Sequence, residues 1–526
     1  MSVGPIDIRT ELPHRARSRP MPTQTQPARD LLDPLPADQF GYTQARHLLW
    51  RAGFGGTDLQ INALVEMGLD AAVSLLVDYE NIPFEPDRRD AFDKDIMRPL
   101  SQEEQRARRI AAVRRDEDSL ARFREMRQQA QRDDRRQMRE IQAWWLSRMI
   151  QTTRPLEEKL TLFWHGHFAT SYRSVEDSYH MYQQNRMFRG NAKDYAGLLR
   201  GIIRDPAMLR YLNNNQNRKA DPNENLAREI MELFSLGEGN YTERDIKEGA
   251  RALTGYTFED DAFVFREQQH DTGNKQVLGA RGPIDGDGFV TAILRHKSCA
   301  PYMATRLYRF FVADVGSQPD QLEGVHATAV RRLADELRRY NYRLDRPLKT
   351  LFRSRYFYSD DVIGQKIKSP AELVVGSIRS LGVPARDLNL LVTSMERMGQ
   401  NLFFPPSVKG WDGGRAWINT ATMFVRQNTL MYLISGQTGG NTRLARFRRG
   451  EIYDPRQAIP LLLDPDRPAD AHEVVGKLMD LAMGRREPLA MDVLASAALE
   501  NGGVENGNVL PGLLILITSM PEYQLC

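Results

Sequence analysis

A chain of 526 residues, 41% of them hydrophobic, is long enough to bury a large core. The formal net charge is only +3 although 27% of the residues are charged, so acidic and basic side chains are interleaved. Net charge therefore gives no reason to expect strong recruitment to DNA or to a membrane surface. The two cysteines, Cys299 and Cys526, are too few for a disulfide framework or a cysteine-rich metal site.

The N-terminal segment, residues 1–38, is rich in proline and arginine, and we expect it to be disordered. It contains no apolar stretch long enough for a signal peptide, and no later segment approaches the apolar length of a membrane span. The sequence therefore predicts a cytoplasmic protein without a membrane-spanning helix.

Residues 101–140 are the most highly charged part of the chain. They carry twelve arginines among many acids, and sparse apolar residues such as Ile110, Leu120 and Phe123 allow a long helix with a thin apolar stripe. One interpretation is an arginine-lined surface for nucleic acid or another polyanion. The other is a solvated helix laced with ion pairs, or a helical hairpin arm. We favour a charged helical arm at about residues 100–140, because the acids largely cancel the positive field.

Helix start and stop signals recur along the rest of the chain. The clearest of them predict a helix from Pro370 to Leu381, with Ser369 as N-cap, Glu372 closing a capping box and Gly382 at the far end. Further helices are expected to begin at Pro206, to run from Thr242 towards Gly255, to cover residues 474–482 and to include the apolar residues 513–517.

Two segments depart from the helical pattern. Residues 256–266 alternate around Asp260 and Asp261 and predict a small β-hairpin inserted between helices. Residues 402–419 contain paired prolines, several glycines and two tryptophans, and predict an ordered loop. The expected fold is therefore mainly α, with a small β-hairpin insertion and a long charged helical arm.

The most suggestive chemistry lies at the end of an expected helix, where His165 and His167 flank Gly166. Two residues apart on a regular helix, the imidazoles would point about 200° apart, but a break at the glycine would let them converge. Converging neutral imidazoles are natural ligands for a divalent transition metal such as zinc, iron or copper. Two imidazoles leave a metal site incomplete, so carboxylates would have to complete it.

Glu229 and Glu232 are the candidate carboxylates, because they stand three residues apart on one face of an expected helix. Such a pair is costly on a half-buried helix unless a metal ion or an arginine neutralises it, and Arg228 is the alternative partner. His180, three residues after Asp177, is a further optional ligand.

His270 and Asp271 follow the hairpin and are candidate catalytic groups, as a third imidazole or as a general base. The alternative is a turn in which Asp271 caps the local backbone and Gly273 supplies a positive φ.

Trp411 and Trp417 in the 402–419 loop are candidate ligand-binding residues, since a stacked indole can recognise the face of a sugar or of a protein partner. The alternative is that they hold the loop on the core, which is the more frequent arrangement for tryptophan in such loops.

These stretches together resemble a bacterial family known only as domain of unknown function 1800. The matching segments are His47 to Gly55, Phe163 to Phe168, Asp205 to Leu209, Asn223 to Leu233, Ala250 to Gly255, His270 to Gly273, Lys368 to Pro370, Pro405 to Trp411 and Trp417 to Asn419. The resemblance spans about residues 40–526 and implies one large helical domain over residues 39–526.

The resemblance implies no reaction, because none is established for the family. Many relatives are exported, which makes export the alternative to a cytoplasmic location. Relatives are also encoded near proteins of a second family that resembles alkaline phosphatases and sulfatases, so a protein of that kind is an expected partner. The charged arm resembles an elaboration found in part of the family.

Two functions of different class follow. The first is a metal-dependent, hydrolase-like enzyme in which His165 and His167 bind the ion and the two glutamates complete the shell. The second is a non-catalytic scaffold or binding protein that works with a protein or polysaccharide partner through the arm and the tryptophan loop. Nucleic-acid binding through the arm is a weaker third hypothesis. The nucleophile elbow, the phosphate-binding loop and the dinucleotide fingerprint are missing from the sequence.

Overall fold

A computed structural model of the chain describes residues 32–83, 92–436, 453–458, 470–506 and 509–526. Helices dominate this part of the chain and two small antiparallel sheets accompany them, which confirms the prediction of a mainly α fold. The α-helices are α1 (Tyr42–Arg51), α2 (Asp58–Val77), α3 (Gln102–Arg114), α4 (Glu117–Gln151), α5 (Pro155–His167), α6 (Tyr172–Val175), α7 (Ser178–Gly190), α8 (Tyr195–Ile202), α9 (Pro206–Tyr211), α10 (Asn225–Glu229), α11 (Glu243–Ala252), α12 (Gly286–Arg295), α13 (Cys299–Phe311), α14 (Gly324–Arg339), α15 (Asp345–Arg353), α16 (Pro370–Leu381), α17 (Leu388–Arg397), α18 (Thr420–Ser435), α19 (Ala471–Met483), α20 (Pro488–Glu500) and α21 (Val509–Ser519). A π-helix spans Ile230–Leu236. Short 3-10 helices span Ala37–Gln39, Tyr79–Asn81, Asn214–Gln216, Glu267–Gln269, Pro319–Gln321, Tyr356–Tyr358, Gly414–Trp417, Pro455–Ala458 and Pro521–Gln524.

The packed part of the chain begins before residue 39. Residues 1–31 lie outside the described residues, so the disorder expected for residues 1–38 stays a prediction for them. Leu32 is buried, and the backbone N–H of Leu35 donates to the carbonyl of Arg353 at 2.8 Å. One continuous hydrophobic cluster then runs from Leu32 to Tyr523.

The helix expected over residues 370–381 is confirmed together with its caps. In α16 the backbone N–H of Ser369 donates to Glu372 Oε2 at 2.7 Å, and the N–H of Glu372 donates back to Ser369 Oγ at 3.3 Å. Gly382 ends the helix in the left-handed region, with φ 65°. The other helices expected from start and stop signals are α9, α11, α19 and α21.

The charged arm is a helical hairpin. α3 and the first part of α4 form its two halves, and they are separated by Arg115, which adopts a left-handed φ of 52°, and by Asp116, the N-cap of α4. Exposed ion pairs such as Arg124 with Glu117 lie on its surface. The structure therefore has the expected helical hairpin with ion pairs, and polyanion binding by its arginines stays a prediction.

The expected hairpin over residues 256–266 is confirmed, and a second one follows it. β1 (Tyr256–Glu259) pairs antiparallel with β2 (Ala262–Phe265), and β3 (Lys275–Val277) pairs antiparallel with β4 (Ala280–Gly282). The second hairpin was not expected, because strands of three residues are too short to show an alternating pattern.

Every residue of α5 except its one glycine is buried. Its charged residues are therefore paired inside the protein. Glu158 accepts from Arg148 Nε at 2.5 Å and from Arg189 Nε at 2.6 Å, and Lys159 Nζ lies 2.5 Å from Glu372 Oε1. These pairs connect α5 to α4, α7 and α16, and an unpaired charge at such depth would cost several kcal/mol.

The described residues contain one helix, α2, that is long and apolar enough to cross a membrane by length and composition alone. Its helical geometry is interrupted at Gly68, which has φ 75°, and Ile61, Leu64, Val73 and Leu76 are part of the hydrophobic core. α2 is therefore no clear membrane span.

Replacing the buried N-cap of α9 is expected to change the pH dependence of stability. Burial raises the pKa of Asp205 to about 7, whereas an unfolded aspartate titrates near about 3.9. Between these values the folded state binds more protons than the unfolded state, so Asp205 lowers stability as pH rises, by up to about 1.4 kcal/mol per unit. Asp205→Asn keeps a capping side chain and removes the titration.

We therefore expect the stability of Asp205→Asn relative to wild type to increase from pH 4.5 to pH 7.5 in urea unfolding. Asp285→Asn, at the exposed N-cap of α12, controls for the change of capping group. A difference between Asp205→Asn and wild type that is independent of pH would contradict the expectation.

Candidate functional site

The end of α5 and the 402–419 loop touch each other through glycines. Gly410 has φ 78°, and a Cβ on it would lie 2.2 Å from the carbonyl oxygen of Gly166. The Trp411 ring lies 3.7 Å from the position that a Cβ of Gly166 would take, and its centroid is 5.5 Å from that of His165. The loop backbone is thereby seated directly on the stretch that contains the two histidines.

The expected helix break at Gly166 is wrong, because α5 continues through the glycine to His167. His165 and His167 consequently face different surroundings, as residues two apart on a helix must. The His165 ring packs against Trp145 and Phe403, whereas the His167 ring stacks on Phe163.

His165 holds the loop in place. Its Nε2 accepts a hydrogen bond from the backbone N–H of Phe403 at 2.9 Å, so the proton of the neutral ring is on Nδ1. Burial lowers the pKa of His165 to about 3. The imidazole is therefore neutral, and the lone pair of Nε2 that could bind a metal is already used by the backbone.

His167 holds the π-helix in place. Its Nε2–H donates to the carbonyl of Phe234 at 2.9 Å, and the same carbonyl accepts from the hydroxyl of Tyr195 at 2.8 Å. Nδ1 is buried without a hydrogen-bond partner among the described residues. Burial, and then the charge of Arg306, hold the pKa of His167 well below its usual range. The ring is neutral and lies close enough to a guanidinium to be affected by it.

Glu229 and Glu232 lie at the end of α10 and in the π-helix. Glu232 Oε2 accepts from the hydroxyl of Tyr241 at 2.5 Å, and burial together with the charge of Glu232 raises the pKa of Glu229. Arg228, the alternative partner, forms ion pairs with Glu224 and Glu243. π-helical turns are rare and often lie at functional sites, but they carry no separate sequence signal.

His270 and Asp271 have the geometry of the capped turn, but the positive φ expected at Gly273 is wrong. His270 is buried, and its Nδ1–H donates to the carbonyl of Thr254 at 2.8 Å. Asp271 accepts from Arg251 Nε at 2.7 Å and from the backbone N–H of Gly273 at 2.8 Å. The hydrogen bonds from Arg251 lower the pKa of Asp271.

The four expected metal ligands, His165, His167, Glu229 and Glu232, do not form a common cluster. Over the residues that the structure describes, one set of three or more histidine, cysteine or acidic side chains has ligand atoms that all lie within 4.8 Å of one another. That set consists of Asp177, His180 and Asp261. Metal binding by the four residues stays a prediction, and it would require their side chains to move.

A cavity of about 140 Å³, here called the loop cavity, opens between the 402–419 loop and three helices. Its walls are aromatic and charged side chains and the glycines of the loop. They include Phe163 of α5, Arg306 and Arg309 of α13, Lys366 before α16, and Trp411 and Trp417 of the loop. Trp417 is buried and Trp411 is half-buried, so both hold the loop on the core and both also line the cavity.

Most charges around the loop cavity are paired. Glu372 is bound by Lys159, and Arg309 Nη2 lies 3.6 Å from Asp314 Oδ1. Lys366 Nζ donates to the carbonyls of Arg309 and Phe310 at 2.6 and 2.5 Å, and burial lowers the pKa of Lys366 to about 8. Asp412 is exposed to solvent.

Arg306 is the exception. It is half-buried and has no hydrogen bond or ion pair with any residue that the structure describes. Burial lowers the pKa of its guanidinium, and the neighbouring charge of Arg309 acts in the same direction. The sequence carries one signal for it, since Arg306 and Arg309 stand three apart on one face of an otherwise apolar helix, α13.

The backbone contact between the loop and α5 is expected to tolerate no side chain. In Gly410→Ala the new methyl group clashes with the carbonyl oxygen of Gly166. The alanine must also adopt the positive φ of this position, which is unfavourable for a residue with a side chain. Gly364→Ala is the matched control, because Gly364 has φ 69° and no atom within 4 Å of its Cβ position. We expect Gly410→Ala to lose at least about 2 kcal/mol more than Gly364→Ala in urea unfolding. Equal losses would show that the close approach is not a constraint.

A family model described as "Protein of unknown function (DUF1800)" matches residues 47–525. No curated protein and no solved structure matches the chain.

Proposed function

The chain belongs to this family, DUF1800, and we propose that it binds a ligand through a single oxyanion group in the loop cavity, with Arg306 as the counter-charge. The group is a carboxylate, a phosphate or a sulfate, which share the planar or tetrahedral oxygens that a guanidinium grips with two hydrogen bonds. The observation that carries the proposal is the lack of any partner for Arg306 among the described residues.

A half-buried guanidinium without a partner is costly, because burial removes part of its hydration and no described residue replaces it. An oxyanion that enters the cavity supplies the missing acceptors and gains a charge-assisted hydrogen bond. Arg309 and Lys366 add positive potential on the same wall, although their own hydrogen bonds are already satisfied in part.

The size of the loop cavity limits what enters it. About 140 Å³ holds one small charged group, whereas a complete drug-sized ligand needs roughly 300 Å³ or more. The remainder of the ligand then lies outside, along the half-buried face of Trp411. This arrangement supports the binding alternative, in which Trp411 and Trp417 recognise a larger molecule such as an acidic polysaccharide.

The metal-dependent hydrolase is less well supported by the same contacts. A cation next to His167 would be repelled by Arg306, whose charge already lowers the pKa of that imidazole. Nε2 of His165 accepts from the backbone. The positive charge of Arg306 that repels a metal ion attracts an oxyanion, so the electrostatics of the loop cavity favour anion binding over metal binding.

The test is isothermal titration of the full chain with inorganic phosphate, sulfate and glucuronate. We expect at least one of them to bind, and Arg306→Gln to weaken that binding at least about tenfold, since a charge-assisted hydrogen bond contributes about 1.5–3 kcal/mol. Arg306→Lys should keep part of the affinity, because it keeps the charge and loses the fork of donors.

Arg204→Gln is the matched control. Arg204 is a half-buried arginine that pairs with Asp287 away from the loop cavity, so this substitution removes the same net charge elsewhere. The proposal is refuted if no oxyanion binds the wild-type chain, or if Arg306→Gln and Arg204→Gln bind equally well. The preferred anion distinguishes carboxylated from phosphorylated or sulfated ligands.

A further inference from the structure

A second cluster of chemically capable side chains lies where the first hairpin meets the helices. Asp177 is the N-cap of α7, His180 is in its first turn, and Asp261 is in the turn between β1 and β2. One ligand atom from each residue lies within 4.8 Å of the other two. None of the three lines the loop cavity.

The hydrogen bonds of His180 determine which ring nitrogen carries the proton. Its Nε2 lies 3.0 Å from the carbonyl oxygen of Asp260 and 3.2 Å from Asp261 Oδ1. A carbonyl oxygen can only accept, so Nε2 is the donor and the neutral ring has its lone pair on Nδ1. The side chain of His180 is 2% exposed, and Nδ1 has no hydrogen-bond partner in the described part of the chain.

That bare nitrogen faces a carboxylate oxygen. Asp177 Oδ1 caps α7 by accepting from the backbone N–H groups of Tyr179 and His180, while Oδ2 lies 3.8 Å from His180 Nδ1. This distance is too long for a hydrogen bond. The lone pair of His180 Nδ1 and the negative charge of Asp177 Oδ2 are thus close together in a buried place, and a cation between the two atoms would stabilise this arrangement.

The surrounding charges do not supply that cation. Arg210 is near Asp177 and His180, and Lys94 is near Asp261, but neither forms an ion pair with these carboxylates within the described residues. Two further acids, Asp134 and Asp260, lie close by and act in the opposite direction.

We propose that Asp177, His180 and Asp261 bind one divalent transition-metal ion, zinc or manganese, that clamps the β1–β2 hairpin to the N-terminus of α7. An imidazole with two carboxylates suits these ions and leaves a position for water. Ligand atoms about 2.1 Å from a tetrahedral ion stand about 3.4 Å apart, so Asp177 Oδ2, at 3.8 Å from Nδ1, needs a shift of a few tenths of an ångström. Asp261 Oδ1 lies 3.2 Å from Nε2, on the other side of the ring, so the Asp261 carboxylate has to turn towards Nδ1 when the ion binds. A carbonyl that accepts from the other ring nitrogen, as that of Asp260 does, is the usual support of a metal-binding histidine.

The test is elemental analysis of the full chain after incubation with zinc chloride or manganese chloride and gel filtration. We expect about one equivalent of metal in the wild-type chain and little in Asp177→Asn/Asp261→Asn. The asparagine at 177 can still cap α7, so this variant removes the charges and keeps the helix start. Asp261→Asn alone, in the hairpin turn, is the second variant in case the double substitution impairs folding, and it should lower metal content and affinity.

Two control variants check that the metal is bound by these three residues and not elsewhere on the chain. Asp205→Asn changes another buried N-cap aspartate and should keep its metal. His165→Ala/His167→Ala removes the two histidines at the end of α5 and should also keep it. The absorption of Co²⁺ bound in place of zinc should show ligand-field bands in wild type that disappear in Asp177→Asn/Asp261→Asn.

Three outcomes overturn the proposal. They are a wild-type chain that binds neither ion, metal content that is unchanged in the aspartate variants, and metal that is lost only from the His165→Ala/His167→Ala variant. None of these outcomes bears on oxyanion binding in the loop cavity, because the two sites share no residue.

Discussion

Glu158 is a carboxylate inside the protein, fully removed from water and held by three donor residues from two helices. Arg148 and Trp145 approach it from α4 and Arg189 from α7, and Arg148 also lies 3.7 Å from the neighbouring Glu157. Because removing one partner of such a pair leaves a buried charge that costs about 3–5 kcal/mol, these helices are held in one relative position. The last turn of α5, on which the tryptophan loop is seated, takes its position from this network.

The loop cavity also depends on the close contact between the backbone of the 402–419 loop and the end of α5. Gly166 and Gly410 allow two backbones to approach without side chains between them, and this approach places Trp411 beside the histidine-bearing turn. Segments far apart in the chain then contribute the walls: α5, α13, the residues before α16, and the loop itself. Arg306 lies where they meet, so its lack of a partner among the described residues is a property of the assembled fold and not of α13 alone.

The accuracy of the sequence-based predictions follows the range of the interactions involved. A capping box acts within one turn, so the start and end of α16 could be predicted from Ser369, Glu372 and Gly382, and the hairpin from alternation around Asp260. The continuation of α5 through Gly166 could not, because a glycine costs a helix only about 1 kcal/mol and the packing of α5 outweighs that cost.

Long-range geometry explains what the sequence left undetermined. Asp177 and Asp261 are adjacent only after the hairpin folds back on α7. Arg306 has no partner among the described residues because no acidic side chain there comes close enough, and this depends on how distant segments pack.

The charged arm is connected to the core by a single long helix. α4 has 35 residues and is about 52 Å long, with an exposed tip at one end and Arg148 in the charged centre at the other. Because one continuous helix joins the exposed tip to the core, a force that a partner applies to the tip would be transmitted to the ion pairs of Glu158.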